Sequence, residues 1–395
     1  MNKILIISQH YWPENFRIID IAESIASLGK DVTVLCGLPN YPKGYIFKEY
    51  KNGKNRMQIH NGVKIIRAKE IGRRKGIIFR FLNYWSFPHY ACKLIKKIDK
   101  DFDVIYAHMS SPIMMIKPAI EYAKKYGKKI VMYGLDLWPE SLLAGGISNS
   151  SLIYKRYKKI SSNLYSNCDK ILVSTKEHIE YIKKLPKCSE LLIDYLPQYA
   201  DTIFESTEIG RIDNGIIDLM FAGNIGKAQS IETIIKAANK LKNYSKFIFH
   251  IVGGGSELEN TKKLVQDLEL SNVVFYNEKP LIEMPNLYKL ADVMIVSLED
   301  KAYAKMTIPG KVQTYMAAGK PIIGVISGSG YNFILNNKIG FACEAEDYEG
   351  LAKIILDLNE KDLIKIGKHA KEVYFEKYSK QKFIKNLVEN LEEFA

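Results

Sequence analysis

Two segments in the second half of the sequence combine glycine with lysine beside a predicted helix start. Gly223-Asn224-Ile225-Gly226-Lys227 follows a short apolar run, and Pro309-Gly310-Lys311 opens a short helical segment. Glycines let backbone amides approach a phosphate closely, and a lysine adds a full positive charge. A cation in the first turn of a helix is unfavourable unless an anion binds there. The two segments therefore predict a phosphate site, with an ordinary turn as the alternative for the first.

Carboxylates and aromatic rings follow predicted strands in the first half of the sequence. Asp136-Leu137-Trp138-Pro139-Glu140 lies after the run Lys129–Tyr133. A carboxylate such as that of Asp136 can orient a hydroxyl, and Trp138 can stack on a sugar face. Glu140 is equally typical of the first turn of a helix, and the same alternative applies to Glu14.

Short apolar runs without polar alternation recur along the chain, separated by segments with helical periodicity. Examples are Ile4–Ser8 and Phe247–Val252 for the runs, and Phe16–Leu28 and Ile231–Leu241 for the helices. Such runs are typical of strands buried on both faces of a parallel sheet. The fold class is therefore α/β, with two Rossmann-like doubly wound domains and a cleft expected between them. Pro197 marks the expected junction, which gives domains at 1–197 and 198–365 and a helical tail at 366–395.

Composition and charge limit the possible functions. Five dispersed cysteines lack the spacing of a zinc site or a disulfide framework, and the apolar runs are too short for a signal peptide or a membrane span. A cytoplasmic location is expected. Residues 1–200 contain 33 Lys and Arg against 17 Asp and Glu, whereas the remainder has 24 against 27. Positive charge confined to one part of a chain suits an anionic partner.

The segment around residues 73–97 is both basic and aromatic. It contains Arg73, Arg74, Lys75 and Arg80 together with Phe79, Phe81, Tyr84, Trp85 and Phe87. This combination is typical of an interfacial helix on anionic lipid. A basic helix packed on its own domain is the alternative; nucleic acid is not expected as a partner, because no recognition motif accompanies the charge.

The motifs together resemble a known family. Gly-Asn-Ile-Gly at 223–226 and Pro-x-Lys-x-x-x-Tyr-Met-Ala-x-Gly-Lys-Pro at 309–321 are similar to the donor domain of retaining glycosyltransferase family 4, which has the GT-B fold. Tyr11–Asn15, Pro39–Gly44 and Asp136–Ser141 narrow the resemblance to the bacterial N-acetyl-L-fucosamine transferases of O-antigen and capsule synthesis.

The resemblance implies transfer of a sugar from a UDP-sugar to a polyprenyl-diphosphate-linked saccharide, on the inner face of the bacterial cytoplasmic membrane. No cofactor and no metal are expected. The implied catalytic residues are Asp136, Lys227 and Lys311. Further donor-binding residues are expected at Glu14, Asn15, Gly223, Asn224, Gly226, Glu278, Pro309, Gly310, Gln313 and Thr314. Acceptor-binding residues are expected at His10, Tyr11, His108, Asp136, Trp138 and Glu140. The tail is expected to pack back on the first domain.

The sequence departs from the family pattern at two places. Met306 and Thr314 stand where the family has a pair of glutamates, and Asn224 stands where it has arginine. Neutral hydrogen bonds from Gln313 or Thr314 would then hold the ribose. The lost carboxylates keep a catalytically silent nucleotide-sugar-binding subunit open as an alternative. A UDP-sugar 2-epimerase also stays open, because such an enzyme shares this architecture.

Overall fold

In the computed structural model, which describes residues 1–99 and 101–395, parallel strands alternate with helices. The chain divides into a first unit, Met1–Leu196 with Ile384–Ala395, and a second unit, Pro197–Phe383. Residues 366–383 therefore belong to the second unit, which corrects the expected boundary at 366, because only the end of the predicted tail groups with the first unit.

The first unit is built on a sheet of eight strands within the described residues, in the order β3-β4-β2-β1-β5-β6-β7-β8. Its strands are β1 (Lys3–Ile7), β2 (Asp31–Cys36), β3 (Met57–His60), β4 (Val63–Arg67), β5 (Val104–Met109), β6 (Lys129–Gly134), β7 (Lys170–Val173) and β8 (Leu192–Tyr195). Its helices are α1 (Arg17–Ser27), α2 (Ile77–Ile95), α3 (Lys117–Tyr126), α4 (Ser141–Ala144), α5 (Leu152–Tyr165) and α6 (Glu177–Lys183), with 3-10 turns at Lys48–Tyr50 and Ile113–Ile116.

The second unit has a parallel sheet in the order β11-β10-β9-β12-β13-β14. Its strands are β9 (Ile217–Ala222), β10 (Phe247–Val252), β11 (Val273–Tyr276), β12 (Val293–Ser297), β13 (Ile322–Val325) and β14 (Gly340–Cys343). Its helices are α7 (Thr202–Ser206), α8 (Ile231–Lys240), α9 (Leu258–Asp267), α10 (Met284–Tyr288), α11 (Ala302–Lys305), α12 (Lys311–Ala317), α13 (Ser329–Asn336), α14 (Tyr348–Leu356), α15 (Glu360–Lys377) and the start of α16 (Lys380–Glu393), with 3-10 turns at Lys227–Gln229 and Leu281–Glu283.

The strand sequences explain why both sheets are buried. Ile4 to Ile7 of β1 are fully buried, and the six residues of β9 are buried throughout. In the second unit an apolar cluster lies on each face of the sheet, one centred on α8 and α14 and the other on α12 and α15. A parallel sheet covered on both faces requires such continuous apolar strands. The predicted pair of doubly wound α/β domains is confirmed.

Strand order reverses between β1 and β5 in the first sheet and between β9 and β12 in the second. Ligands of open α/β sheets bind beyond the carboxyl ends of the strands at such switch points. The loops after β1, β5 and β9 are therefore the first places to look for functional groups.

Candidate functional site

The loop after β9 is held by hydrogen bonds to the end of β10 and within the loop itself. Gly223 donates its N–H to Val252 O at 3.0 Å, and Gly226 donates to Gln229 Oε1 at 3.2 Å. The Asn224 amide also donates to Gln229 Oε1, at 3.1 Å. The N–H of Gly223 is therefore already bonded to the end of β10 and that of Gly226 to Gln229, which corrects the expectation that both cradle a phosphate.

Gly223 has a different role, which is to make room for a lysine. A Cβ at Gly223 would lie 2.9 Å from Lys311 Nζ, closer than real Cβ atoms approach their neighbours. The Lys311 side chain passes beneath this point, and its Nζ lies 3.9 Å from the centroid of the Phe221 ring. The carboxyl end of β9 and the first residue of α12 thus bring together two of the predicted donor residues.

Lys311 Nζ is buried and, among residues 1–99 and 101–395, has no hydrogen-bond partner. Burial lowers the pKa of Lys311 to about 7. The Phe221 ring offsets part of this cost through a cation–π contact, which is worth roughly 0.5–2 kcal/mol. A buried ammonium without an acceptor is rare in folded proteins because its desolvation is uncompensated. The arrangement fits a cation held ready for an anion.

The second predicted lysine lies in different surroundings. Lys227 is exposed and lines a pocket of about 400 Å³ whose other charged residues are Glu232, Glu257, Glu299 and Glu346. Four carboxylates repel a diphosphate. Lys311 is therefore better suited than Lys227 to bind one.

Tyr315 holds the end of β9 in place. Its hydroxyl donates to Ala222 O at 3.0 Å and accepts from Ala222 N at 3.2 Å. The residue lies one turn after Lys311 on α12, so the same helix supplies the lysine and fixes the strand end above it. Neither Tyr315 nor Phe221 was expected as a site residue, although Tyr315 belongs to the Tyr-Met-Ala segment of the motif.

The remaining predicted donor residues surround this point on the second unit. Gln313 is buried and its Oε1 lacks a partner within the described part of the chain, whereas Thr314 donates to Gly310 O at 3.4 Å. Pro309 is half-buried and Gly310 exposed. Glu278 is exposed after β11, close to Gly254. Their contacts to a nucleotide stay predictions.

A second buried lysine in this unit is structural. Lys320 Nζ donates to Gly210 O at 3.0 Å and to Ala291 O at 2.8 Å. Replacing Lys320 by methionine leaves these two carbonyls without their donor, and each such loss costs about 1–3 kcal/mol. We expect Lys320→Met to lower the free energy of unfolding by about 2–4 kcal/mol in denaturant titrations. A Lys320→Met protein as stable as the wild type would contradict this assignment.

In the first unit Asp136 follows β6 and is exposed. Desolvation of its carboxyl group raises the pKa of Asp136 to about 6, while a hydrogen bond from the Ser111 hydroxyl and the positive charge of Arg73 act in the opposite direction. Ser111 follows β5 and also accepts Trp138 Nε1–H at 3.1 Å. This places a carboxylate that titrates near neutral pH beside the switch point of the first sheet.

Several predicted acceptor residues are buried inside the first unit. Only 1% of the Trp138 surface is exposed, and its ring packs on Tyr84 and Tyr157, which corrects the expectation of a stacking platform. Tyr11 is likewise 2% exposed. Glu140 is buried and accepts the hydroxyls of Tyr154 and Tyr181.

The predicted histidines and Glu14 are also internal. Glu14 Oε1 accepts the N–H groups of Asn40 and Tyr41, and its Oε2 lies 2.9 Å from His10 Nδ1. Glu14 Oε1 thus holds the loop after β2 and Oε2 is occupied by His10, which corrects the expected donor contact. His108 is buried against the Tyr106 hydroxyl, and burial lowers its pKa to about 3, so its imidazole is neutral. Asn15 is exposed and its donor contact stays a prediction.

A buried carboxylate supports the same loops. Glu70 Oε1 accepts Gln9 Nε2–H at 2.8 Å and Asn83 Nδ2–H at 2.5 Å, and burial raises the pKa of Glu70 to about 7. The loops after β1 and β4 are thereby tied to α2. No spacing in the sequence predicts this cluster, because its members come from three distant segments.

Comparison with known proteins identifies the second unit. The family model of glycosyl transferases group 1 matches residues 203–382. The matched residues, which we call the group 1 domain, are similar to this family and include Lys311, Phe221 and Tyr315.

Bacterial relatives extend the similarity to the first unit. The chain is 26% identical over 302 residues to the probable glycosyltransferase WbjE of Pseudomonas aeruginosa, covering 73% of this chain and 74% of WbjE. It is 23% identical over 374 residues to the putative colanic acid biosynthesis glycosyl transferase WcaI of Escherichia coli K12, covering 89% of this chain and 87% of WcaI.

The fold as a whole is that of solved glycosyltransferases. Anabaena HepE, solved in complex with UDP and glucose, superposes with a TM-score of 0.70 at 14% identity, covering 99% of this chain and 100% of HepE. The expected GT-B fold is confirmed.

Proposed function

We propose that the protein is a retaining glycosyltransferase that moves an N-acetylated deoxy sugar from UDP to a polyprenyl-diphosphate-linked saccharide during synthesis of a surface polysaccharide. The observation that supports the donor half of this proposal is Lys311, whose buried ammonium lacks an acceptor among the residues that the structure describes. The UDP in the HepE complex and the group 1 domain support a nucleotide donor, and the colanic acid relative supports a surface polysaccharide.

In the proposed reaction the acceptor hydroxyl attacks the anomeric carbon on the face from which the diphosphate departs. The bond from that carbon to the phosphate oxygen breaks, and the departing oxygen takes the hydroxyl proton. Charge develops on the diphosphate, where the Lys311 ammonium stabilises it. Asp136 orients the acceptor hydroxyl. No metal is required in this scheme.

A membrane-borne acceptor requires contact with lipid, and we place that contact on α2. Ile78 and Leu82 are 71% and 44% exposed, beside exposed Arg74 and Arg80. The predicted aromatic face is corrected, because Tyr84 and Phe87 point into the first unit. Among the described residues, every helix falls short of the length and apolar character needed to cross a bilayer. We therefore propose peripheral attachment to the inner face of the cytoplasmic membrane.

A UDP-release assay tests the function. UDP-sugars, including UDP-N-acetyl-L-fucosamine, are incubated with the purified protein with and without a polyprenyl-diphosphate-linked N-acetylsugar. If the protein is a transferase, UDP should be released from one of the UDP-sugars, and only when the acceptor is present. Isomerised sugar without an acceptor would identify an epimerase instead, and UDP binding without turnover on any acceptor would identify a silent subunit.

The pKa of Lys311 predicts the pH dependence of UDP binding. The free protein loses the Lys311 proton near pH 7, whereas a bound diphosphate favours the ammonium. Binding above pH 7 must therefore take up a proton, and affinity is lost as pH rises through the pKa of the free protein. We expect UDP affinity to fall about tenfold per pH unit above pH 8. Calorimetry in two buffers of different ionisation enthalpy measures the proton uptake, and constant affinity from pH 7 to 9 without uptake would exclude this role.

A further inference from the structure

Helix α5 of the first unit carries a basic face that the proposed reaction does not use. Its exposed residues include Lys155, Arg156, Lys158 and Lys159, and the helix contains no acidic residue. Tyr154 and Tyr157 on the opposite face are buried. These four cations, together with Lys187 and the adjacent Pro186, line a groove of about 790 Å³. We name this the α5 groove.

The cations of the α5 groove are unpaired. Within the part of the chain that the structure describes, none of the five forms an ion pair, although lysines elsewhere in the first unit, such as Lys64 and Lys129, pair with aspartates. Unpaired cations crowded along one helix face repel each other, so the face is stabilised when an anion binds there. The α5 groove is therefore suited to anionic groups.

Exposed apolar residues identify which kind of anion fits. The first two residues of α5 are Leu152, which is 83% exposed, and Ile153, which is 46% exposed. A free phosphate or a nucleic-acid backbone offers nothing to such side chains. A lipid surface offers both an apolar interior and phosphate headgroups. Because a helix rises 1.5 Å per residue, the cations at 155–159 lie about 5–10 Å beyond the apolar end, a depth that matches the headgroup layer.

Helix α2 also exposes apolar side chains in its first turns, beside α5. The two helices are in contact, since Trp85 Nε1–H donates to the Tyr157 hydroxyl at 2.9 Å. Each leads from the carboxyl end of one parallel strand to the start of the next, so both run in the same direction. Ile78 and Leu82 lie in the first turns of α2, as Leu152 and Ile153 do in α5. Apolar side chains therefore lie at the same end of both helices, and at the start of α2 the exposed Arg74 and Arg80 lie on either side of Ile78 in the sequence.

We propose that the α5 groove binds the phosphate headgroups of an anionic membrane while Leu152 and Ile153 enter its apolar layer. This inference rests on the proposed membrane attachment through α2 and extends it to a second helix. The protein then touches the membrane on two adjacent helix ends, which fixes its orientation as well as its distance from the surface.

Vesicle co-sedimentation of the full-length protein tests the proposal. Vesicles of phosphatidylcholine alone and of equimolar phosphatidylcholine and phosphatidylglycerol are compared, using the wild type and Lys155→Ala/Lys158→Ala/Lys159→Ala. Each cation near an anionic surface contributes about a fivefold factor, so we expect the triple variant to bind the anionic vesicles about 100-fold more weakly. Leu152→Ser/Ile153→Ser is expected to weaken binding about tenfold or more.

The matched control is Lys361→Ala/Lys365→Ala/Lys368→Ala, which removes the same charge from exposed positions of α15 and should leave vesicle binding unchanged. An equal loss in this control, full competition by millimolar inorganic phosphate, or unchanged binding by the α5 triple variant would each overturn the proposal. Binding to duplex DNA that matches the binding to anionic vesicles would also overturn it. Vesicle binding needs neither donor nor acceptor, so its failure is distinguishable from a failure of UDP release.

Discussion

Lys311→Met is expected to abolish glycosyl transfer and, in the same protein, to increase the stability of the free fold. Removing one preorganised charge from a departing oxyanion lowers kcat by about 100- to 1,000-fold. The buried ammonium has no acceptor in the described structure, so an apolar side chain of similar length removes an uncompensated desolvation cost. Replacement of a buried charge by a well-packed apolar group stabilises by about 1–4 kcal/mol in favourable cases. Denaturant titration and the UDP-release assay measure the two effects.

Lys320→Met is the matched control for this experiment. Both lysines have a buried ammonium in the group 1 domain, but Lys320 donates to two carbonyls, whereas Lys311 has no hydrogen-bond partner in the described part of the chain. The two substitutions should therefore change stability in opposite directions, and Lys320→Met should keep its activity per folded molecule. A Lys311→Met protein that is less stable than the wild type and still active would show that Lys311 is structural.

Asp136→Asn is expected to lower acceptor-dependent release by about 100-fold or more, because a neutral amide orients the acceptor hydroxyl less strongly than the charged carboxylate does. UDP affinity should be unchanged, since Asp136 lies in the first unit and acts on the acceptor. Because the pKa of Asp136 is about 6 and the ionised form is the active one, the wild-type rate should fall as pH drops through 6. This acid limb should be absent from the residual activity of Asp136→Asn.

Ser111→Ala provides the control for the pH profile. The Ser111 hydroxyl stabilises the ionised Asp136, so its removal should move the acid limb to higher pH while leaving the rate at pH 8 nearly unchanged. An acid limb that does not move in Ser111→Ala, or that survives in Asp136→Asn, would assign the titration to another group.

Local patterns predicted the fold well where strands are apolar throughout, as in β1 and β9. Two strands, β3 and β14, were not predicted because neither forms a long apolar run. β3 alternates exposed Met57 and Ile59 with half-buried residues and pairs antiparallel with β4 through the turn at Asn61-Gly62, where both residues have positive φ. This turn was the signal that could have revealed the hairpin. β14 begins at Gly340, where a Cβ would meet Ile322 O at 1.8 Å, so its pairing depends on a glycine that strand preferences disfavour.

Site residues could be predicted from the sequence only where the reactive side chain lies within a recognisable motif. Lys311 lies at the predicted helix start, but the Phe221 ring beneath it comes from a strand 90 residues earlier, a contact that only the fold creates. Glu14 and Trp138 were expected at the ligand because their residue types suit it. Both side chains are buried instead, because Glu14 is hydrogen-bonded to Asn40 and Trp138 to Ser111. These partners come from other loops, so the local sequence does not show them.

Calorimetric titration with UDP and with uridine tests the central claim, that Lys311 Nζ holds the donor diphosphate. At pH 7 we expect Lys311→Met to bind UDP about 100-fold more weakly than the wild type, because truncating one partner of a buried charge pair costs roughly 2–5 kcal/mol. Uridine, which lacks the diphosphate, should bind both proteins equally. Equal UDP affinity in the two proteins, or a parallel loss for uridine, would contradict the claim.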